Sequence, residues 1–332
     1  MPADRFNDRG PGQQEGTPPA ERRYRSPTIG EIFRRAGGIE VPEAMKEAAR
    51  VSARSPGERA LTRVFEGLGS VTGRVDERYN EVINSLRGAS YTLEDIQPFI
   101  DRNAKALKSN ENSGLILSAM TNNIIKEGDK IEFDSSGLLL KYVGYKLPCG
   151  TLTINGTAGD YAGYSMSGGT LTINGNARDS TGHSMSSGIL TINGNAGSWA
   201  GHYMSGGTLT INGNARDSTG SSMSGGKLVI KGNAGRLTGS SMSGGTLTIK
   251  GDAGDSTGSS MSGGTLTING NAGYEAGELM SDGILTIKGD AGSDVGYGTT
   301  SKSKGKIVVE GHAKSIAGSR GGKLFVNGEE VK

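Results

Sequence analysis

The chain has 332 residues, of which 57 are glycine, and its 36 lysines and arginines nearly balance 34 aspartates and glutamates. No apolar run approaches the roughly 20 residues that cross a bilayer, and the N-terminus lacks the apolar segment of a secretory signal. The sequence therefore predicts a soluble cytoplasmic protein that does not bind membranes. The net charge of +2 gives no general argument for nucleic acid as a partner, and the single cysteine, Cys149, offers no disulfide or metal-binding spacing.

The first part of the chain divides into a tail and a helical segment. Residues 1–27 are rich in proline, glycine, glutamine and arginine with almost nothing to bury, which predicts a disordered tail. Residues 28–126 are predicted to be helical. Thr28 is placed to cap one short helix, and Pro42 suits the first position of another.

The helical spacing of apolar residues is clearest between residues 71 and 125. Thr92 and Asp95 form the capping pair that opens one of these helices. The stretch 115–125 is expected to cover the N-terminal end of the domain that follows. The helices over 71–107 have apolar stripes without an obvious mate, so they are expected to form a partner-facing arm. The two stripes are Val71, Val75, Tyr79, Val82, Ile83 and Leu86, then Leu93, Ile96, Ile100, Ala104 and Leu107.

From Cys149 onward the sequence repeats with a period of 19 residues. The unit that begins at Met166 contains Thr-Leu-Thr-Ile, an alternation typical of a strand with one buried face. Each unit has too few apolar residues to close its own core, so the units must stack like on like, with glycines at the bends. We predict a mainly β fold, a parallel β-helix over residues 127–332, right-handed by the general preference. Phe133 belongs to a degenerate first unit.

Several columns of like residues run through the predicted stack. The methionines are interpreted as flexible core fillers in preference to soft-metal ligands. A column of asparagine and aspartate is predicted to hydrogen-bond the backbone of the turns. The first column is Met166, Met185, Met204, Met223, Met242, Met261 and Met280, and the second is Asn176, Asn195, Asn214, Asn233, Asp252, Asn271 and Asp290.

The histidines are the first residues to consider as a metal site. His183 and His202 are one period apart, and Asp160, Asp179 and Asp217 recur at another position. Serine replaces histidine in later units, so a solvated face is favoured over a metal site. No Ser-His-Asp or Cys-His set and no phosphate-binding loop can be assembled. The sequence therefore assigns no catalytic, cofactor-binding or metal-binding residue and no cofactor.

The repeat pattern resembles a known family. The pattern Gly-x-x-Met-x-Gly-Gly-x-Leu-x-Ile, carried for example by Gly182, Met185, Gly188, Leu190 and Ile192, is similar to the GXGXG repeat. That repeat builds the C-terminal domain of the glutamate synthase large subunit and one of the subunits of formylmethanofuran dehydrogenase. The resemblance implies a right-handed β-helix that acts as a non-catalytic scaffold or interaction subunit, with other protein subunits of an oxidoreductase complex as partners. The chain lacks the glutamine-amide and flavin parts of glutamate synthase.

The outward threonines support an alternative. Thr-x-Thr pairs on one flat sheet resemble the ice-binding face of β-solenoid antifreeze proteins, although threonine is also a good outward strand residue. Ile189, Lys227, Val229 and Ile284 interrupt the array. An ice-binding or other surface-binding solenoid therefore stays open beside the scaffold, as does a homo-oligomer. The pairs are Thr151/Thr153, Thr170/Thr172, Thr208/Thr210, Thr246/Thr248 and Thr265/Thr267.

Overall fold

A computed structural model describes residues 54–68, 71–135, 137–299, 303–315 and 323–331. Contacts divide the chain into two compact units, Met1–Arg54 and Ser55–Lys332. The predicted tail and the helix starts at Thr28 and Pro42 lie outside the described residues. The described helices and strands belong to the second unit.

Within the described residues, four α-helices precede the strands. Ser55 caps the first of them, because its side chain accepts a hydrogen bond from the Glu58 backbone N–H at 2.9 Å. The predicted capping pair of Thr92 and Asp95 is confirmed, and it opens a short 3-10 turn that leads into α3. None of the described helices combines the length and apolarity needed to cross a membrane. The helices are α1 (Pro56–Gly67), α2 (Val75–Ser85), α3 (Ile96–Ser109) and α4 (Ser113–Asn122).

The apolar stripes of the helices are largely buried against other helices, so the premise of the predicted partner-facing arm, that the stripes have no mate, is wrong. Val82, Leu86 and Phe99 are at most 1% exposed, and Phe65 of α1 packs edge-on against Phe99 of α3 with ring centroids 5.6 Å apart. Helix α1 contacts α3, and both α2 and α3 contact α4. The stripes therefore pack against the other helices. The spacing of apolar residues within one helix cannot identify the element against which it packs.

Helix α4 covers the first solenoid turn, as predicted. All its residues except the last are buried. The Ser118 hydroxyl donates to the backbone carbonyl of Tyr142 at 2.9 Å, and the Asn122 amide donates to that of Tyr145 at 2.7 Å. The Asn122 amide therefore takes the place of a preceding turn, since the equivalent carbonyl in the next turn, that of Tyr164, accepts the backbone N–H of Lys146.

Twelve strands of the described chain form one sheet in sequence order. β1 to β11 are parallel, and β12 pairs antiparallel with β11. Successive strands pair in register, so that Leu171 lies beside Leu190 and Ile173 beside Ile192. The parallel β-solenoid is confirmed, including Phe133 in its first strand, whereas the right-handed sense stays a prediction. The strands are Lys130–Asp134, Thr151–Asn155, Thr170–Ile173, Ile189–Ile192, Thr208–Ile211, Lys227–Ile230, Ser243–Ile249, Ser262–Ile268, Asp282–Ile287, Lys306–Val309, Lys323–Val326 and Glu329–Val331.

The solenoid interior is built from columns of identical side chains. The leucines and isoleucines of β2 to β9 that face inward are fully buried, and the seven methionines are at most 1% exposed. Away from the strands, each turn has one alanine that pairs with the alanine of the next turn through a single parallel β-bridge. This column of alanines runs from Ala158 to Ala313. The interpretation of methionine as core filler is confirmed. These columns are apolar, so binding chemistry belongs to the outer surface.

Candidate functional site

Each solenoid turn from residues 142–146 to residues 294–298 has a tight corner in which left-handed backbone conformations alternate with ordinary ones. In one turn, φ is 58° at Ser180, 71° at Gly182 and 57° at Ser184. Thr181, between them, is buried, and its hydroxyl donates to the Arg178 carbonyl at 2.8 Å. The sequence pointed to glycine at such bends and missed the non-glycine residues on either side. We call residues 142–146 and their equivalents in each turn, up to 294–298, the corner face.

Aromatic rings contact one another from turn to turn at the N-terminal end of the corner face, stacked in the first two pairs and edge-on between the two histidines. Ring centroids are 5.7 Å apart between Tyr145 and Tyr164, 5.0 Å between Tyr164 and His183, and 5.3 Å between His183 and His202. The predicted adjacency of the two histidines is therefore confirmed. Their environment differs from the predicted solvated face, because both rings are partly buried in an aromatic column.

The electrostatics of this column favour neutral imidazole rings. Burial lowers the pKa of His183 to about 4, and the neighbouring His202 adds to the shift. Burial also lowers the pKa of His202. One ring nitrogen of each histidine is hydrogen-bonded to a serine, at 2.8 Å from Ser184 and 2.5 Å from Ser221. Across the described ranges, no three His, Cys, Asp or Glu residues are grouped to hold a metal ion.

Helix α2 anchors the N-terminal end of the corner face. The Asp76 carboxylate accepts hydrogen bonds from Lys146 at 2.6 Å and from the Tyr145 hydroxyl at 2.5 Å. These two donors, Lys146 first, hold the pKa of Asp76 below its usual value. Burial raises the pKa of Tyr145. The Arg78 guanidinium lies over the Tyr142 ring at 5.5 Å, so this end of the face is occupied by the protein's own helix.

Farther along, the corner face exposes large apolar side chains. Trp199 is 49% exposed, Tyr203 55%, Leu237 41% and Leu279 53%. All four have φ of 56° or 57°, a conformation that is rare for bulky residues and costs about 1–2 kcal/mol. Sequence reasoning missed these residues, although each departs from the serine that an adjacent turn carries at the same position.

The asparagine column lies beside the corner face and links successive turns. The Asn176 side-chain oxygen accepts a hydrogen bond from the backbone N–H of Asn195 at 2.8 Å. The Asn195 side-chain oxygen accepts one from the backbone N–H of Asn214 at the same distance. The pattern continues to the His312 N–H, which bonds Asp290. The prediction of side chain to turn-backbone bonds is confirmed, with the added finding that each bond crosses to the next turn.

The threonine face is regular in one column and interrupted in another. Thr153, Thr172, Thr191 and Thr210 pair directly from strand to strand before Val229 breaks the column. The other column contains the first threonine of each Thr-x-Thr pair. The residues that interrupt it are exposed: Ile189, Lys227 and Ile284.

Comparison with known proteins supports the repeat and gives no closer identification. The GXGXG motif family matches residues 189–301, which include strands β4 to β9. No curated protein matches the chain. The match is consistent with the resemblance to the C-terminal domain of the glutamate synthase large subunit.

Proposed function

We propose that the solenoid is a scaffold that binds another protein through its corner face. The GXGXG match and the stacked fold both fit a scaffold-like domain. The observation that carries the proposal is the exposure of Trp199, Tyr203, Leu237 and Leu279 at positions where an adjacent turn has serine. Exposed at left-handed positions, these side chains add nothing to the core, and exposed apolar surface marks interaction sites.

The size of the exposed region suits a protein partner. Tyr203 and Leu279 occupy the same position four turns apart, which corresponds to roughly 19 Å at the spacing of parallel strands. Aromatic residues are enriched in the buried centre of interfaces. The resemblance to glutamate synthase and formylmethanofuran dehydrogenase supports a partner that is a catalytic subunit of an oxidoreductase complex, with this chain contributing no catalytic residue.

The test replaces the apolar residues by the serine of neighbouring turns. In the full chain, Trp199→Ser, Tyr203→Ser, Leu237→Ser and Leu279→Ser are combined, and the protein is purified from its native cells after cross-linking. We expect the wild type to recover a stoichiometric protein partner and the variant to lose it. A matched control on the sheet face, Ile189→Thr with Ile284→Thr, should keep the partner.

Two results contradict this proposal. One is recovery of the wild-type chain alone. The other is equal recovery of the partner by the wild type and the corner-face variant. Circular dichroism of each variant establishes that the solenoid is intact. We expect it to be intact because serine already occurs at these positions in other turns.

A second candidate function rests on the threonine face. The in-register column from Thr153 to Thr210 supports binding to an ordered surface such as ice. Thermal hysteresis of the wild type, compared with Thr172→Lys and Thr191→Lys, tests it. A wild type without hysteresis eliminates ice binding, and retention of partner binding by these variants assigns recognition to the corner face.

A further inference from the structure

A groove of about 460 Å³ opens next to the corner face, where the chain departs from its repeat. Arg178 and Arg216 both line this groove, two turns apart, with Gly197 between them. The equivalent position is glycine in most turns of the stack. The two arginines therefore form a pair of cations on either side of a gap that has no side chain.

The arginines occupy a crowded position in the stack. A Cβ atom at Gly197 would lie 2.7 Å from the Asp179 backbone nitrogen, which explains why glycine prevails there. The N–H groups of Arg178 and Arg216 reach the carbonyl one turn before at 3.3 Å, whereas those of Gly197 and Gly235 do so at 3.0 Å. Arginine thus lengthens bonds between turns, so the stability of the stack does not explain its presence.

The groove also presents amide donors of fixed orientation. Asn176 and Asn195 line it, and the Oδ1 atom of each accepts the backbone N–H of the next turn at 2.8 Å. Each Nδ2 group is therefore the remaining donor. Among the described residues, neither of these Nδ2 groups nor the guanidinium of Arg178 or Arg216 has a hydrogen-bond or ion-pair partner.

The carboxylates of the groove are already engaged. Asp179 accepts the Ser198 backbone N–H at 2.8 Å, and Asp160 pairs with Lys141 at 3.6 Å. Each carboxylate thus has one oxygen engaged by the protein, whereas two guanidiniums and two amide N–H groups of the groove have no partner within the described part of the chain. These unpaired groups all donate hydrogen bonds and two of them are cationic, so they favour an oxyanion as the complementary ligand.

We propose that the groove binds the phosphate group of a small phosphate monoester. Arg178 and Arg216 contact it from the two sides, because guanidinium forks match phosphate oxygens in bidentate geometry. The backbones of the two arginines are roughly 10 Å apart, a span that their long side chains close over Gly197. The groove volume lies in the range of small-molecule sites and leaves room for the organic part of the ester. The site is independent of the corner-face proposal.

The test uses variants that restore the glycine of the repeat, Arg178→Gly and Arg216→Gly. Isothermal titration calorimetry of the full chain at low ionic strength is run with glycerol 3-phosphate and separately with inorganic phosphate. We expect the wild type to bind the ester and each variant to bind it about tenfold or more weakly. Arg236→Ser, which removes an arginine paired with Asp255, is the matched control and should leave the affinity unchanged.

The outcomes separate the ligand sources and the role of the arginines. Tighter binding of the ester than of inorganic phosphate supports the proposed class, and equal binding identifies the phosphate group alone as sufficient. The glycine variants should keep or raise the midpoint of thermal unfolding, so loss of binding is not loss of fold. No binding at about 10 mM ligand, well above a millimolar Kd, or equal affinity in wild type and glycine variants, overturns the proposal.

Discussion

Met223 is the residue at which the stacking argument is tested most directly. It lies between Met204 and Met242, one turn on either side, and all three are fully buried. Replacement by alanine removes the outer part of the side chain from the core. Met→Ala substitutions in cores cost about 2–5 kcal/mol, and we expect the upper half of that range. The strand register holds the flanking turns apart, and the glycine that faces the sulfur, Gly220, has no side chain to fill the gap.

Three further substitutions calibrate this result. Met223→Leu nearly conserves volume and should cost less than about 1.5 kcal/mol. Thr208→Lys changes an outward side chain and should cost less than about 0.5 kcal/mol. Met223→Asp buries an unpaired carboxylate and should cost several kcal/mol, because a buried charge loses its hydration.

Pairs of methionine substitutions test whether each turn senses only its neighbours. In a stacked array, stability is approximately a sum of terms for each unit and for adjacent pairs. Met204→Ala and Met223→Ala create adjoining cavities, so their combined cost should differ from the sum of the single costs. Met166→Ala and Met261→Ala are five turns apart, roughly 24 Å, and should add within about 0.5 kcal/mol.

Urea unfolding gives the free energies. Far-UV circular dichroism reports the whole sheet, and the fluorescence of Trp199, the single tryptophan, reports the middle of the stack. Coincidence of the two transitions is required before free energies are compared. A cost below about 0.5 kcal/mol for Met223→Ala, or equal coupling in the near and far pairs, would refute the argument.

Three other predictions concern the outer surface. Asn214→Ala should cost about 1 kcal/mol in urea unfolding because it removes the acceptor of a backbone N–H. Asn212 bonds only a side chain, so Asn212→Ala should cost less than about 0.5 kcal/mol. Equal costs for the two variants would contradict this prediction. His183 has a pKa of 6.5 when unfolded and about 4 when folded, so the unfolded chain binds the extra proton and stability should fall as pH drops from 6.5 to 4. His183→Ser should flatten that part of the pH profile, and an unchanged profile would argue against a neutral buried ring. Tyr145→Phe removes a donor to the Asp76 carboxylate and should raise the pKa of Asp76 measured by NMR; an unchanged pKa would show that this bond is unimportant.

The parts of the fold that repeat are predictable from the sequence. A strict period identifies one residue per turn for each column, so Met185, Leu190 and Ile192 can be placed in the core without knowledge of the rest. The asparagine column is predictable as a set of bonds to the turns, but not as bonds to the following turn. That distinction depends on how far each turn advances, which the residues of one unit do not specify.

The parts that escape prediction depend on tertiary context. The apolar stripes of α2 and α3 show which faces are buried, but not that they are buried against α1 and α4. Ser180 and Ser184 have no sequence signal for a left-handed conformation, since asparagine or glycine would be expected there. Without that conformation, Trp199 and Leu237 look like ordinary surface variation, and the corner face is missed.

Because nearly identical turns pair in register, the length of the solenoid can change only in steps of one turn. Adding or removing 19 residues between β3 and β9 preserves the strand register and the apolar columns of the stack. Such a change shifts everything after it by one strand spacing, about 4.8 Å. A variant with one turn inserted after Ile211 would keep the helices and Trp199 in place while moving Leu237 and Leu279 away by that fixed step. Duplication of one unit thus changes the distance between two surface features by a fixed step, and neither feature has to change in sequence.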